Sequence, residues 1–230
     1  PPELYQMALS GSLLEKVAKR YQNKIAHVME MTAGYDVQGE YTRMTDRGIQ
    51  LVTALEAEFP KRLKRIADPP YVLYYAGRLL PAEHKAGAVI GARDCTEYGR
   101  YMAGQFAAAL AQAGVQVISG MARGIDGIAQ QAALQAGGYS VGVLGCGVDI
   151  CYPRENSKLY EALIQQGGIC SEYPPGIGPR AILFPPRNRI ISGMADAVLV
   201  IEAKEKSGTL ITVDMALEQG REVYALPGRG

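Results

Sequence analysis

Histidine and cysteine are scarce in this sequence, which limits the chemistry it can perform. There are two histidines and four cysteines in 230 residues, and neither histidine lies among the glycine-rich loops. No Ser-His-Asp arrangement is present, and the cysteine spacing is unlike that of a zinc ribbon. We therefore predict reduced cysteines, no bound metal, no cofactor and no catalytic residue. The residues concerned are His27, His84, Cys95, Cys146, Cys151 and Cys170.

Long apolar runs and a strong charge of one sign are also missing. No stretch is apolar over the length that spans a bilayer, and the first residues lack a basic segment followed by an apolar one. The 24 lysines and arginines are balanced by 23 acidic residues, so the net charge is +1. We expect a cytoplasmic protein without membrane contact, in which any nucleic-acid affinity comes from local clusters of basic residues.

Two regions of the chain differ in their pattern. A length of 230 residues with 48% hydrophobic residues suits one α/β domain plus a smaller appendage. Residues 4–63 show helical spacing without a strong strand pattern, and a proline pair at 69–70 then precedes a short β-rich run. We therefore predict a small N-terminal helical module at residues 1–63 and a main domain at residues 64–230.

Strand and helix patterns alternate throughout the main domain. This order predicts an α/β fold with a Rossmann-like, doubly wound and mostly parallel sheet, which binds ligands at the carboxyl ends of its strands. The predicted strands are Ala88–Gly91, Val115–Ser119, Ser140–Leu144, Ile169–Glu172, Ala197–Glu202 and Glu222–Ala225. The predicted helices are Tyr98–Ala113, Ile125–Ala136, Lys158–Gln166 and Leu210–Gln219, each followed closely by a glycine that can end it.

The loops after the first two of these strands combine glycine with arginine. Gly91 lets the backbone approach a ligand, and Arg93 supplies a planar set of donors that suits an oxyanion. Residues 119–126, Ser-Gly-Met-Ala-Arg-Gly-Ile-Asp, lead into a helix whose N-terminus favours an anion. Two alternatives stay open: Arg93 pairs with Asp94 or another surface acid, and Asp126 caps the helix or orients Arg123. The ending of a Walker A loop is missing.

The loop after the third strand is also rich in glycine. Residues 142–149 match a dinucleotide fingerprint only loosely, because the glycine order differs and no helix follows at once. Arg154 and Lys158 follow this loop. They either extend a basic surface or are ordinary solvated charges.

Residues 184–193, Phe-Pro-Pro-Arg-Asn-Arg-Ile-Ile-Ser-Gly, are the most informative stretch. They place two guanidinium groups, a carboxamide and an aromatic ring near the start of a helix, which suits phosphate binding and base stacking. We predict that the part up to Arg189 is an extended arm kept stiff by proline. Phe184 either stacks on a base or packs under the loop. Further on, residues 207–209 start a helix and either hold an anion or cap it.

At these residues the chain resembles the DNA-processing protein A family, DprA, also called Smf. The resemblance covers about residues 60–230 and implies an extended Rossmann fold that binds single-stranded DNA. It further implies that the protein protects incoming strands in natural transformation, helps load the RecA recombinase and forms homodimers, without being an enzyme. The motifs that carry it are Gly91-Ala-Arg93, Ser119 to Asp126, Leu144 to Asp149 with Tyr152-Pro153, Ser171 to Gly176, Phe184 to Gly193, and Ser207 to Thr212.

The predicted DNA-binding residues combine the basic loops with this resemblance. By position in the motifs, the arginines would contact phosphates or bases, whereas the glycines, the aromatic ring and the carboxamide would shape the pocket. The predicted set is Gly91, Arg93, Ser119, Gly120, Arg123, Gly124, Arg154, Lys158, Phe184, Arg187, Asn188 and Arg189.

Two other functions are compatible with the same sequence. A nucleotide-processing enzyme that resembles the lysine-decarboxylase-like (LOG) group would use Glu172 and Glu202 as general acid and base. An interaction platform would use its arginines only in salt bridges and would expose apolar residues between Val213 and Leu226 as a dimer face.

Overall fold

The structure, a computed structural model, describes residues 22–23, 25–27, 30, 34, 36–79, 84–205 and 207–228. The chain divides into two compact units, residues 1–45 and residues 46–230. In the first unit, helix α1 spans Val37–Asp46 and reaches the boundary. Much of the helical module predicted for residues 1–63 lies outside the described residues, so that module stays a prediction.

Eight strands in the described part of the second unit form one sheet, in the order β1-β2-β6-β5-β4-β3-β7-β8. The six strands from β3 to β8 pair in parallel, whereas β1 with β2 and β2 with β6 pair antiparallel. The α/β, doubly wound and mostly parallel fold predicted from the sequence is therefore confirmed. The strands are β1 (Ile49–Thr53), β2 (Val72–Gly77), β3 (Ala86–Gly91), β4 (Gln116–Ser119), β5 (Ser140–Val143), β6 (Gly168–Ser171), β7 (Ala197–Glu202) and β8 (Glu222–Ala225).

Helices cover both faces of this sheet. Along β3, Ala88 and Ile90 pack in a core that includes Ile190 of α5, whereas Val89 between them packs in a second core with α2 and α3. This alternation explains why the strand is apolar throughout, as expected for a parallel strand buried on both sides. The helices are α2 (Glu97–Gln112), α3 (Ile125–Gln135), α4 (Ser157–Gln166), α5 (Phe184–Met194) and α6 (Gly208–Glu218), with short 3-10 helices at Leu63–Arg65, Arg154–Asn156 and Ala181–Leu183.

The order of the strands reverses between β3 and β7. From β3 the chain adds β4, β5 and β6 on one side, and it then returns to add β7 and β8 on the other side. The loops that leave β3 and β7 therefore diverge to opposite faces of the sheet. Such a switch point leaves a crevice at the carboxyl ends of the two strands, where sheets of this kind bind ligands.

Two local predictions were wrong. Residues 49–53, predicted within a helical region, form β1 and pair with β2, with Ile49 opposite Ala76 and Val52 opposite Leu73. Residues 184–189, predicted as an extended arm, begin helix α5. The two prolines occupy the first turn of that helix, where no intrahelical partner is lost because the first amides have none.

Asp196 fastens the segment before β2 to the sheet. Its carboxylate accepts hydrogen bonds from Arg62 Nε at 2.7 Å, Arg62 Nη2 at 2.9 Å and the Ala86 amide at 2.9 Å. Burial raises the pKa of Asp196, but these hydrogen bonds and the Arg62 charge outweigh burial and hold the pKa below its usual value. The pair therefore contributes to stability in a way that depends on pH.

We expect Asp196→Asn to lower the free energy of unfolding by about 1 kcal/mol at pH 7, a small value because the pair is partly exposed. The folded-state pKa is depressed, so the contribution is fully present above the unfolded-state pKa of about 3.9 and is lost as the pH falls through the lower folded-state pKa. Urea denaturation across this range tests the prediction. If the difference in the free energy of unfolding between the variant and the unaltered protein stayed constant at acidic pH, the prediction would be contradicted.

Candidate nucleic-acid interface

A crevice of about 540 Å³ opens at the switch point between β3 and β7. One wall is the loop after β3, with Gly91 and Arg93, and another is the start of α6 after β7. The first turns of α5 contribute Phe184, Arg187 and Asn188. Five of the predicted DNA-binding residues therefore line one cavity, at the place where the fold alone favours a ligand.

Two glycines allow the loops around this crevice to pack directly on each other. Gly124 has a φ of +70°, and a Cβ atom there would lie 2.3 Å from the carbonyl oxygens of both Ala92 and Arg93. A Cβ at Gly91 would lie 2.6 Å from Ile125 Cγ1 and 2.9 Å from the Glu202 carbonyl oxygen. Only glycine fits either position, so the loops after β3 and β4 hold each other in place.

Arg93 is an exposed cation in the lining of the crevice. Within the described residues it makes no ion pair, so the alternative that it pairs with Asp94 is not observed. Its guanidinium carbon lies 6.0 Å from the centroid of the Phe184 ring. A free guanidinium beside an aromatic ring can hold a phosphate while the ring contacts the attached base.

Phe184 packs on the protein and also faces the crevice. A Cβ on Gly145 would lie 2.7 Å from the ring, and the Tyr152 ring is 5.5 Å away at an angle of 39°. The Phe184 side chain nevertheless stays half-buried and lines the crevice. The two alternatives for this residue, packing and stacking, are therefore compatible, because the side chain packs on its neighbours and is still partly exposed.

Arg187 lies beneath the crevice and is 5% exposed. Its guanidinium donates to the carbonyl oxygen of Gly120 at 2.9 Å, to that of Val143, and to Asn188 Oδ1 at 3.2 Å. These bonds tie the start of α5 to the carboxyl ends of β4 and β5. Arg187 is thus a structural donor in the floor of the crevice, and its predicted role as a DNA contact stays a prediction.

Asp126 supplies the negative charge nearest to this buried arginine. It is 7% exposed, and its Oδ2 accepts a hydrogen bond from the Gly120 amide at 3.1 Å. Burial raises the pKa of Asp126 against the opposing effect of Arg187, and burial lowers the pKa of Arg187 against the opposing effect of Asp126. The predicted orientation of Arg123 by Asp126 is not observed, because Arg123 contacts Glu155, and the arginine whose charge acts on Asp126 is Arg187 instead.

Arg189 is committed to acidic neighbours. Its guanidinium donates to Glu172 Oε1 at 2.7 Å, and its Nε lies 3.2 Å from Asp68 Oδ2. Burial lowers the pKa of Arg189, but the hydrogen bond and charge of Glu172 outweigh burial and raise it above the usual arginine value. The side chain is 12% exposed. It joins α5 to β6 and to the segment before β2, outside the lining of the crevice.

The remaining predicted residues lie in other places. Ser119 and Gly120 are buried behind the loop, where the Ser119 hydroxyl donates to the Val89 carbonyl oxygen at 2.6 Å. Arg123, Gly124 and Lys158 line a neighbouring groove of about 630 Å³, the alpha groove, between α2, α3 and the start of α4. Arg154 is exposed and lines neither cavity. The structure therefore divides the predicted DNA-binding residues between two adjacent cavities and positions outside both.

Some residues of the crevice were missing from the predicted set. Tyr152 and Lys204 line it, as does Ser207 at the start of α6. The Ser207 hydroxyl does not cap the helix, and its oxygen is buried without a hydrogen-bond partner. The Ser-Gly-Thr sequence at this helix start was the available signal, but it fits a cap as well as an anion site.

Comparison with known proteins gives the family. The family model described as DNA recombination-mediator protein A matches residues 50–230. The chain belongs to this family. The resemblance predicted from the glycine and arginine motifs is thereby confirmed.

Three relatives show how far the likeness extends. Protein Smf of Escherichia coli is 45% identical over 179 residues, which cover 77% of this chain and 48% of the relative. The structure of DprA from Streptococcus pneumoniae is 33% identical, with a TM-score of 0.85 over 95% of this chain and 75% of that one. The structure of DNA processing protein A from Helicobacter pylori, described for its single-stranded DNA binding mode, is 31% identical, with a TM-score of 0.72 over 78% and 82% of the two chains.

The chain spans 46–62% of the length of the first three curated relatives it matches. Among its described residues, no group of three potential metal ligands occurs. No helix in that same part of the chain is long and apolar enough to cross a membrane.

Burial raises the pKa of Cys146 to about 11 and that of Cys170 to about 12, so both thiols stay protonated near neutral pH.

The acid and base of the enzyme alternative are far apart. Glu172 follows β6 and Glu202 ends β7, and four strand intervals separate these strands. Because neighbouring strands lie about 4.8 Å apart, the separation is roughly 19 Å, about twice the span of paired catalytic carboxylates. Glu172 binds Arg189, and Glu202 accepts hydrogen bonds from the Thr96 amide and hydroxyl at 3.0 and 2.9 Å. Both carboxylates therefore have structural partners.

Proposed function

We propose that the crevice between β3 and β7 binds single-stranded DNA. The observation that carries this proposal is the exposed Arg93 guanidinium, free of any described ion pair, beside the half-buried Phe184 ring. A positive group next to an aromatic surface matches the alternation of phosphate and base along a single strand. The single-stranded DNA binding described for the Helicobacter pylori relative supports the same assignment.

Each residue of the crevice has a distinct part in this proposal. Arg93 and Lys204 hold phosphates, and Phe184 stacks on a base. Arg187 keeps the floor of the crevice in shape, with Asn188 against it. Because these contacts address the backbone and the face of a base, binding is independent of sequence.

The wider role follows from the family. We propose that the protein is a recombination mediator of natural transformation in the cytoplasm, that it protects incoming strands, and that it passes them to the RecA recombinase without enzymatic turnover. We also propose a homodimer. Leu217 and Tyr224, each 58% exposed, lie in the segment from Val213 to Leu226 that was considered as a dimer face.

A competition titration tests the proposed binding. A fluorescent oligo-dT bound to the protein is displaced by unlabelled single strands or by duplex of the same length. We expect single strands to compete more strongly, with an affinity that falls with salt by about 0.7 in the log-log slope for each phosphate contact. Equal competition by duplex, or an affinity that does not change with salt concentration, would overturn the proposal.

A further inference from the structure

The alpha groove begins where the crevice ends. The loop between β4 and α3 divides the two, since Ala122 lines the crevice whereas Arg123 and Gly124 line the alpha groove. Asn156 anchors this loop by donating to the carbonyl oxygens of Met121 at 2.9 Å and Ala122 at 3.1 Å. A strand that leaves the crevice over this loop would meet the alpha groove next.

The surface of the alpha groove suits a polyanion. The first turns of α2, α3 and α4 all contribute residues to it. Arg100, Arg123 and Lys158 supply three cations. Gly104, where an added Cβ would meet no atom within 4 Å, leaves room for a backbone to approach. Positive charge and space therefore coincide in the groove.

Glu155 is the acidic residue of this lining. Its carboxylate contacts the Arg123 guanidinium, and the two side chains are 57% and 62% exposed. Arg100 has a longer contact with Glu97, at 3.8 Å, and Lys158 makes no ion pair within the described residues. Exposed pairs of this kind are weak, so a phosphate can replace the carboxylate on Arg123 at little cost.

We propose that the alpha groove is a second phosphate-binding subsite, which holds the DNA strand beyond the crevice, and that Glu155 limits its affinity by competing for Arg123. This inference rests on the proposed function. It adds Arg100 as a contact and assigns Glu155 an opposing role. It also predicts that only strands longer than the crevice reach the subsite.

Two oligonucleotide lengths separate the subsites, namely oligo-dT of about 6 and about 20 nucleotides, within the usual range of single-strand sites. With the full chain, we expect Arg100→Ala and Lys158→Ala each to weaken binding of the longer strand about threefold and to lower its salt slope by about 0.7. Binding of the shorter strand should not change. Arg65→Ala is the control. It removes an exposed arginine from the 3-10 helix Leu63–Arg65, which packs against α5.

Glu155→Gln should change the affinity for DNA in the opposite direction. We expect it to strengthen binding of the longer strand about threefold and to leave binding of the shorter strand unchanged. The control is Glu161→Gln, which removes an exposed acid of α4 outside the lining of the groove and should change the affinity for neither strand. Equal effects on both lengths, or none on the longer strand, would overturn the subsite while leaving the crevice intact. If the unaltered protein binds neither length, both the subsite and the proposed function fail.

Discussion

Arg93→Ala should weaken single-stranded DNA binding at least about tenfold, because a hydrogen bond to a charged group is worth about 1.5–3 kcal/mol and each 1.4 kcal/mol is a factor of ten. The loss should be similar for all base sequences, since the contact is to the backbone. The salt slope should fall by about 0.7. Fluorescence anisotropy with oligo-dT and mixed-sequence strands at several salt concentrations measures all three quantities.

The stability of the Arg93→Ala variant separates binding from folding. Arg93 is exposed and has no described ion pair, so its removal should change the free energy of unfolding by no more than about 0.5 kcal/mol. Arg65→Ala, which removes another exposed arginine outside the lining of the crevice, should leave affinity unchanged. A variant at residue 93 that binds as well as the unaltered chain would exclude this guanidinium as a phosphate contact.

Arg187→Ala should act mainly on stability. We expect the free energy of unfolding to fall by about 3–5 kcal/mol, because the substitution leaves the buried Asp126 carboxylate without its nearest cation. It also removes the donors to the carbonyl oxygens of Gly120 and Val143. Urea denaturation followed by circular dichroism measures the change.

Lysine is the informative control at this position. Arg187→Lys keeps the charge but cannot reproduce a planar set of donors to three acceptors, so it should recover only part of the lost stability. If Arg187→Ala were as stable as the unaltered protein and lost only DNA affinity, Arg187 would be a DNA contact and its structural role would be wrong.

The positions of the parallel strands and their helices were predictable because local pattern and tertiary packing agree. The helices end where expected, and Gly114, Gly137 and Gly220 after them have φ values of +74°, +78° and +67°. Strand β1 was missed for a physical reason. Its two buried residues, Ile49 and Val52, are three positions apart, a spacing that also fits a helix.

The start of α5 shows a second limit of the local pattern. Adjacent prolines after Phe184 fit an extended arm as well as the first turn of a helix, because both need the same φ. The buried residues farther along, among them Ile190 and Ile191, settle the helix by packing in the core. That contact involves strands distant in sequence, so the residues 184–189 alone could not decide between the two conformations.

The crevice was predictable from the strand ends, but the role of each arginine was not. Arg187 reaches Gly120 across 67 positions, and Arg189 reaches Asp68 across 121 positions. Such partners decide whether a guanidinium is buried, paired or free, and no local pattern reveals them. Arg93 and Arg189 stand in similar basic contexts in the sequence, yet in the structure one is exposed and the other has two acidic neighbours.

The most direct test of the central claim, that a DNA strand lies on Phe184 in the crevice, is photocrosslinking of oligo-dT that contains 5-iodouracil. Digestion with trypsin releases residues 181–187, a peptide in which Phe184 is the aromatic residue. We expect the nucleotide adduct on this peptide, and we expect Arg93→Ala to reduce its yield. Adducts confined to peptides that line neither the crevice nor the alpha groove, at saturating DNA, would contradict the account.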